Sequence, residues 1–332
     1  MKALFYTGTE ETQYGDAPEP EPGPDDALVK VEAVGICGSD MHAWHGHDPR
    51  RVPPMILGHE ACGTVLEGTS PGLEHGGRVV VNPLITCGAC EYCQSGRSNL
   101  CQTRQLIGME WPGAFAERVA IPARNLISVP DGVGPGVAAL TEPCATAWHA
   151  LALAARAAWR PIPECRALVI GGGSVGLLGG LILKAWGAAE VRLAETNPAR
   201  RETVDAAGLS AFDPIASPAA DASFDIVMDA VGAVATRAAA IAAVRPGGVI
   251  AHVGLQDWAG EFDARTLTLS EVTFVGVYTY TDTDLRASLA ALGDGRLGDL
   301  GWTEQRRLAD GGQAFRDLHS GHCSAAKIIL AP

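Results

Sequence analysis

Four cysteines stand within fifteen consecutive positions, in the stretch CGACEYCQSGRSNLC of residues 87 to 101. Gaps of two, two and seven residues separate Cys87, Cys90, Cys93 and Cys101. This spacing fits a tetrahedral zinc held by four thiolates of one compact loop. An iron–sulfur cluster and unligated thiols are the alternatives. Because a four-thiolate site leaves no coordination position open, we expect this zinc to be structural and the chemistry to lie elsewhere.

A glycine-rich turn, GGGSVG, follows the apolar run ALVI. It matches G-x-G-x-x-G: Gly171 permits a tight turn, Gly173 lets the backbone approach a pyrophosphate, and Gly176 lets helix and strand pack closely. The helix that begins at Ser174 and Val175 would offer free N–H groups to the anion. The turn therefore predicts a dinucleotide site, with a purely structural glycine turn as the alternative.

A carboxylate ends the next predicted strand, VRLAE, because Glu195 lies 19 residues after Gly176. A carboxylate there accepts the ribose hydroxyls of NAD and repels the extra phosphate of NADP. NAD(H) is therefore the expected cofactor. NADP(H) is the alternative, since Arg200 and Arg201 follow closely and could accept a phosphate.

The elements that must position these residues divide the chain into two parts. Up to about residue 130, short apolar runs separated by Pro and Gly predict a β-rich part. Strands and helices then alternate, which predicts βαβ units and a parallel sheet. The terminal run AKIILAP could return to the first part. We expect an α/β protein with a β-rich domain of residues 1–137 and 281–332 and a doubly wound domain of residues 138–280.

The charge and hydropathy of the 332 residues exclude several partners. The net charge of −13 repels phosphate backbones and anionic lipid, so we expect no nucleic-acid and no membrane partner. The first residues lack the apolar core of a signal peptide. The apolar window of residues 167 to 183 is studded with glycine, which favours a buried strand, turn and helix over a membrane span. These features predict a cytoplasmic protein, in a compartment that keeps thiols reduced.

Three further motifs carry a family resemblance: GICGSDMH around Cys37, GHEACG around His59 and TEPCATAWHA around Glu142. Together with the cysteine lobe, the GGGSVG turn and the PGG-x₅-G strand end of residues 246 to 254, they span nearly the whole chain. In these motifs the chain resembles the zinc-containing medium-chain alcohol dehydrogenases, and more narrowly the sorbitol (polyol) dehydrogenase branch. The resemblance implies a GroES-like catalytic domain and a Rossmann cofactor domain.

The same resemblance implies a second zinc, which is catalytic and is bound by Cys37, His59 and Glu142. Cys144 lies two residues beyond Glu142 and is the alternative third ligand. In the family, the residue at Glu60 is near enough to replace water on the metal transiently. The expected cofactors are therefore two Zn²⁺ per chain and NAD(H).

The resemblance also implies a route for the proton that an alcohol releases. The family uses a Ser or Thr at the position of Ser39 as the first relay and a His at the position of His42 as the last, near solvent. Asp40 is a candidate to orient a ligand imidazole or to cap a helix. We interpret His45 and His47 as solvent-exposed residues of the rim rather than ligands.

The predicted substrate pocket departs from sorbitol dehydrogenases. These carry an Arg-Tyr pair after the last strand, where this chain has Thr279 and Tyr280. Trp44, Trp111 and Tyr280 are candidates for an apolar or sugar-stacking wall, with ordinary core packing as the alternative. A cyclic or less polar secondary alcohol is therefore as well supported as a straight-chain polyol.

The combined features predict a zinc-dependent oxidoreductase that transfers hydride between a secondary alcohol or polyol and NAD(H), giving the ketone. The alternatives are a non-catalytic dinucleotide sensor held by zinc and a zinc-independent, quinone-reductase-like member of the fold. The run VTFVGVY would be an exposed edge strand, and family members pair through it, so we expect a homodimer or homotetramer.

Overall fold

The computed structural model describes residues 1–68 and 73–332, and short strands dominate the first 130 residues. The strands of this part are β1 (Lys2–Gly8), β2 (Glu11–Asp16), β3 (Asp26–Gly35), β4 (Met55–Ile56), β5 (Glu60–Glu67), β6 (Arg78–Val81), β7 (Leu84–Ile85), β8 (Gln105–Leu106), β9 (Arg118–Pro122) and β10 (Leu126–Ser128). Its α-helices are α1 (Gly38–Trp44) and α2 (Glu91–Gln94). The predicted β-rich part is confirmed.

Helices and strands alternate through the rest of the chain. The elements up to the last parallel strand are α3 (Pro135–Ala139), α4 (Thr141–Ala157), β11 (Arg166–Ile170), α5 (Ser174–Ala185), β12 (Glu190–Ala194), α6 (Pro198–Ala206), β13 (Ser210–Phe212), β14 (Phe224–Asp229), α7 (Val234–Ala243), β15 (Val244–His252), α8 (Ala264–Leu269) and β16 (Thr273–Gly276). The tail contains α9 (Asp282–Gly293), β17 (Thr303–Arg307), α10 (Gly311–Ser320) and β18 (Lys327–Ala331).

The second part is built on a parallel sheet with the strand order β13-β12-β11-β14-β15-β16. This is the order of the doubly wound dinucleotide-binding fold, in which the cofactor lies where the strand order reverses, here between β11 and β14. Every residue of β14 is buried, as expected of a strand covered by helices on both faces. The predicted α/β class with a Rossmann sheet is confirmed.

The last strand of the chain returns to the sheet of the first part. The strand order of this sheet is β10-β6-β5-β3-β18-β17, and β9 also pairs with β3. β18 lies antiparallel to β3, with Ile329 opposite Gly35, so the C-terminal strand completes the sheet that contains β3 and β5. The proposed boundaries at residues 137 and 281 remain a prediction.

Helix α4 connects the two parts. It begins after a break at Leu140, and Pro143 lies in its first turn, where the missing N–H costs nothing. α4 packs on α5, the helix that follows the glycine turn. The apolar window around that turn is β11 and α5, as predicted, and the described ranges contain no helix long and apolar enough to cross a bilayer.

Candidate active site

Cys37 is fixed by reciprocal hydrogen bonds at the start of α1. Its Sγ accepts the N–H of Ser39 at 3.5 Å, and its own N–H donates to Asp40 Oδ2 at 3.0 Å. This capping arrangement satisfies backbone donors that a helix start leaves without partners. The thiol is therefore held at one defined place beside β5.

His59 immediately precedes β5 and is 4% exposed. Its Nδ1 lies 3.5 Å from Asp40 Oδ1, so Asp40 both caps α1 and faces the imidazole. Burial works against a charged imidazole, yet the negative charges of Asp40 and Cys37 raise the pKa of His59 well above its usual value. The surroundings of the His59 imidazole therefore stabilise a positive charge on the ring.

Glu60 is the third side chain that converges on the same point as Cys37 and His59. One ligand atom each from Cys37, His59 and Glu60 lies within 4.8 Å of the others. Thiolate, imidazole and carboxylate are the donors that zinc takes in proteins. Within the described chain, Glu60 Oε2 and His59 Nδ1 are buried without a hydrogen-bond partner, and such groups are costly unless something else satisfies them. These residues therefore fit a divalent metal ion.

Glu142 stands next to this set, in the first turn of α4, and is buried. Burial, followed by the charge of Glu60, raises the pKa of its carboxyl to about 7, with His59, Tyr280 and Lys327 acting in the opposite direction. Its oxygens are not part of the set that lies within 4.8 Å. Its role as a zinc ligand remains a prediction, as does the alternative, Cys144, which is buried.

The two relay candidates lie on one face of α1, because Ser39 and His42 are three residues apart. The Ser39 hydroxyl and carbonyl accept hydrogen bonds from the guanidinium of Arg51, at 3.3 and 2.7 Å. His42 is half-buried, and burial, together with the nearby His47, lowers the pKa of its imidazole. A neutral imidazole can accept a proton near pH 7.

The aromatic candidates for the substrate pocket lie in different surroundings. Trp44 is 2% exposed and packs on Phe315 in the core, with ring centroids 6.0 Å apart. Trp111 is partly buried and its indole N–H donates to Gln105 at 2.9 Å. Tyr280 is buried against Glu142, and burial and that carboxylate raise the pKa of its phenol well above its usual value. The expected contacts of these rings with substrate remain predictions.

The four clustered cysteines converge to one point. The Sγ–Sγ distances are 3.9 Å for Cys87 and Cys93, 3.6 Å for Cys90 and Cys93, and 3.6 Å for Cys101 and Cys87. A tetrahedron with metal–sulfur bonds of about 2.3 Å has edges of about 3.8 Å. Backbone N–H groups of Ala89 and Cys90 lower the pKa of the Cys87 thiol to about 6. The lobe therefore fits a four-thiolate zinc.

The glycine turn joins β11 to α5 in the geometry that the motif predicts. Gly171 has a φ of +102°, which favours glycine, and a Cβ at Gly176 would lie 1.9 Å from the Gly171 carbonyl oxygen. Gly173 precedes the first residues of α5, Ser174 and Val175. The turn lies where the strand order reverses, which is where doubly wound folds bind dinucleotides.

Glu195 lies against this turn. Its carboxylate accepts the N–H of Gly172 at 2.7 Å and that of Asn197 at 2.7 Å. The Arg201 guanidinium donates to the carbonyl of Glu195 and pairs with Asp213, so it stabilises the backbone after β12. Among the described residues, the buried Nε of Arg200 has no hydrogen-bond partner. The segment after β12 thus carries a carboxylate held against the glycine turn and, five residues later, a buried guanidinium nitrogen with no partner among the described residues.

Two alanine substitutions should separate the roles of the glycines. Gly176→Ala places a methyl against Gly171, so we expect it to lower the free energy of unfolding by about 1–3 kcal/mol. A Cβ at Gly173 meets no atom of the described chain within 4 Å. Gly173→Ala should therefore keep its stability and raise the Kd for NAD at least tenfold, by crowding the pyrophosphate. Urea unfolding and calorimetric titration measure both effects, and unchanged NAD affinity in Gly173→Ala would contradict the assignment of the turn.

Sequence reasoning missed two buried cations near Cys37. Lys327 is 2% exposed and donates to Glu60 Oε1 at 2.6 Å and to the Ile36 carbonyl at 2.8 Å. Arg51 is 3% exposed and holds the backbone of Ser39. Arg51 directly follows Arg50, and nothing in that pair marks one of them as buried. Lys327 is a lone lysine in an apolar terminal run, which was the available signal.

A third group missed by sequence reasoning lies at the carboxyl end of β14. Asp229 is fully buried and accepts the N–H groups of Val231 and Gly232 at 3.0 and 2.9 Å. His252 Nδ1, at the end of β15, lies 3.2 Å from its other oxygen. This pair faces the same crevice as the glycine turn. The signal was available, since FDIVMD is an apolar strand that ends in a carboxylate.

Comparisons with known proteins agree with this architecture. Residues 23–131 match the alcohol dehydrogenase GroES-like domain, and residues 174–294 match the zinc-binding dehydrogenase family. L-Galactonate-5-dehydrogenase of Escherichia coli K12 is 34% identical over 312 residues, covering 90% of this chain and 88% of that protein. L-Threonine 3-dehydrogenase of Chelativorans sp. is 31% identical over 346 residues, covering 99% and 98%.

A solved structure of acetophenone reductase from Geotrichum candidum, in complex with NAD, superimposes with a TM-score of 0.89. It is 28% identical, and the match covers 100% of this chain and 97% of that one. The first match includes Cys37, His59 and Glu60, and the second begins at Ser174, where the glycine turn enters α5. The expected zinc and nicotinamide cofactors are therefore confirmed at the level of the family. The chain belongs to the zinc-binding alcohol dehydrogenase family and is an NAD(P)-dependent alcohol or polyol dehydrogenase.

Proposed function

We propose that this chain oxidises a secondary hydroxyl of an open-chain polyol or sugar acid to the ketone, with NAD as hydride acceptor. The convergence of Cys37, His59 and Glu60 carries the proposal, because it places three zinc donors in a buried site. Glu142 joins that site to α4, which packs on α5 behind the glycine turn. The similarity to a dehydrogenase named for L-galactonate supports the sugar-acid class.

Zinc bound by Cys37 and His59, with Glu142 or Glu60 as third ligand, would supply a Lewis acid that favours loss of the alcohol proton. Ser39 would accept that proton first. His42 would pass it to solvent, since its lowered pKa keeps the ring neutral and able to accept. A nicotinamide cofactor bound at the glycine turn would supply the hydride acceptor, so the alcohol would give up one proton and one hydride in becoming the ketone.

The other cysteine site would be structural. Cys87, Cys90, Cys93 and Cys101 would hold the second zinc with every coordination position taken. Asn99 of this lobe donates to the carbonyl of Tyr278 at 2.9 Å, two residues before Tyr280. The lobe would thus brace the segment that leads to the substrate side of the site.

A substrate panel tests the proposed activity. The zinc-loaded protein should reduce NAD with L-galactonate or sorbitol at a higher kcat/KM than with a cyclic secondary alcohol or 2,3-butanediol. L-Threonine serves as the amino-alcohol comparison, because of the similarity to threonine dehydrogenases. Absence of turnover with either nicotinamide cofactor across the panel, at full zinc occupancy, would favour a non-catalytic binding protein.

Cofactor choice should depend on the charge of Glu195. Glu195→Gln keeps the size of the side chain and removes its negative charge. We expect the ratio of kcat/KM for NAD over NADP to fall about 10- to 100-fold, since hydrogen bonds to charged groups contribute about 1.5–3 kcal/mol. Glu202→Gln, an exposed carboxylate on α6, is the matched control and should leave the ratio unchanged. Equal loss with both cofactors would contradict ribose recognition by Glu195.

We also propose a cytoplasmic homodimer or homotetramer that binds neither nucleic acid nor membranes. β16 lies at the edge of the parallel sheet, and the nearby Leu255 and Leu269 are 72% and 73% exposed. An open edge with apolar neighbours supports pairing with a second copy. The predicted division at residues 137 and 281 is proposed with it, so pairing would involve the cofactor domain. Sedimentation velocity tests this, and a monomer at micromolar concentration would contradict it.

A further inference from the structure

A cluster of two histidines and a glutamate lies on the surface of the β-rich part, outside both sites described above. It consists of Glu10, His45 and His319, and one ligand atom of each lies within 4.8 Å of the others. His45 Nε2 is 2.8 Å from His319 Nδ1, although the two residues are 274 positions apart in sequence. Three separate segments therefore deliver metal-binding side chains to one place.

The fold holds each member of this cluster by its backbone. Glu10 lies at the tip of the hairpin between β1 and β2 with a φ of +60°, a conformation uncommon for a residue with a side chain. Its N–H donates to the Trp44 carbonyl at 2.6 Å, which ties the hairpin tip to the end of α1. His45 caps the C-terminus of α1, and His319 lies in the last turn of α10.

Packing further limits where the two rings can go. The indole of Trp44 is buried, and its centroid lies 5.1 Å from that of His45 and 5.5 Å from that of His319. His47, whose ring centroid is 5.5 Å from that of His45, stands on the open side. The Trp44 indole lies behind the imidazole rings of His45 and His319, and solvent lies in front of them. His45 Nε2 and His319 Nδ1 therefore point towards the same small space.

The nitrogen–nitrogen distance suits a metal ion. Two imidazole nitrogens bound to one ion at about 2.0–2.1 Å are about 2.9 Å apart at a right angle and about 3.4 Å apart in a tetrahedron. The observed 2.8 Å is closest to the right-angled arrangement of octahedral or tetragonal sites. Without an ion, one ring must donate and the other accept, so the pair cannot carry two protons on the facing nitrogens.

We propose that Glu10, His45 and His319 form a third metal site, for a divalent first-row transition ion that takes right-angled ligands, such as Ni²⁺ or Cu²⁺. Imidazole suits these ions, and the carboxylate of Glu10 adds a negative ligand beside the two neutral rings. Water takes the remaining positions. This site includes a histidine that the sequence alone placed on the solvent-exposed rim. An ion bound here ties α1, which carries Ser39 and His42, to α10 and to the first hairpin.

Titration of the zinc-loaded protein with Ni²⁺ tests this site. Isothermal calorimetry should show one saturable Ni²⁺ site per chain while the bound zinc, measured by mass spectrometry after the titration, stays constant. His319→Ala should raise the Kd for Ni²⁺ at least tenfold, and Glu10→Gln should also raise it. His322→Ala removes an exposed histidine three residues away and is the matched control, with unchanged Kd expected.

Thermal unfolding without Ni²⁺ shows whether each variant is folded. Since His319 and Glu10 are exposed, both variants should keep the melting temperature of the parent protein. The proposal is overturned if the zinc-loaded protein binds no Ni²⁺, if Ni²⁺ binds only with release of zinc, or if folded His319→Ala and Glu10→Gln bind Ni²⁺ as tightly as the parent.

Discussion

Replacing Cys37 with alanine is expected to lower kcat/KM for alcohol oxidation on the order of 1,000-fold, since a bound metal contributes several kcal/mol of charge stabilisation. The same variant should lose one zinc per chain and keep the other, because the four-cysteine lobe is separate from Cys37. Steady-state kinetics and metal analysis measure the two effects on one preparation.

Cys62→Ala is the matched control for this variant. Cys62 is fully buried on β5, two residues after Glu60, and burial raises the pKa of its thiol to about 12. Such a thiol is inert and serves only packing. Cys62→Ala should keep both zincs and kcat/KM within about threefold, a change of under about 0.7 kcal/mol in activation free energy. Full activity in Cys37→Ala would contradict the assigned metal centre, whatever its zinc content.

Replacing Lys327 with methionine should lower the free energy of unfolding by about 3–5 kcal/mol, because it leaves the carboxylate of Glu60 buried without its partner. Burial alone would lower the pKa of Lys327, but the charges of Glu60 and Cys37 raise it above its usual value. The lysine is therefore charged at neutral pH. Urea unfolding of the zinc-loaded variant measures the loss.

The double variant Glu60→Gln/Lys327→Met removes both charges and should recover much of this loss, since a buried pair can be replaced at little cost. Lys184→Met is the control: Lys184 is exposed and donates to the Gly208 carbonyl, so its replacement should change stability by less than about 0.5 kcal/mol. Equal stability of Lys327→Met and the parent would show that this ion pair does not stabilise the fold.

Short sequence motifs predicted those features that a few neighbouring residues determine. GGGSVG required a strand before it and a helix after it, and β11 and α5 are there. Pro143 marked the first turn of α4, where the structure has it. The gaps between the four cysteines predicted a lobe whose sulfur atoms converge, because the whole site lies within fifteen residues.

Features that depend on distant pairing were not available from the sequence. Lys327 reaches Glu60 across 267 positions only because β18 inserts beside β3, and a shift of one residue would turn its side chain to the other face. The convergence of Glu10, His45 and His319 depends on how α10 packs against α1 and the first hairpin. A pattern of residue types specifies neither this strand pairing nor this helix packing.

The position of Glu142 relative to Cys37 and His59 also depends on contacts between residues that are distant in the sequence. The family resemblance gives it as the third ligand of the catalytic zinc, whereas the structure brings Glu60 into the closest set and leaves Glu142 beside it. Lys327 holds one oxygen of Glu60, and Tyr280 faces Glu142. Two carboxylates with different partners thus lie beside Cys37 and His59.

The most direct test of the central claim is a crystal structure of the zinc-loaded protein with diffraction data collected on both sides of the zinc absorption edge. We expect two anomalous peaks per chain, one enclosed by the four cysteine sulfurs and one within about 2.3 Å of Cys37 Sγ and about 2.1 Å of a His59 nitrogen. A catalytically active crystal with no zinc peak between Cys37 and His59 would contradict the account.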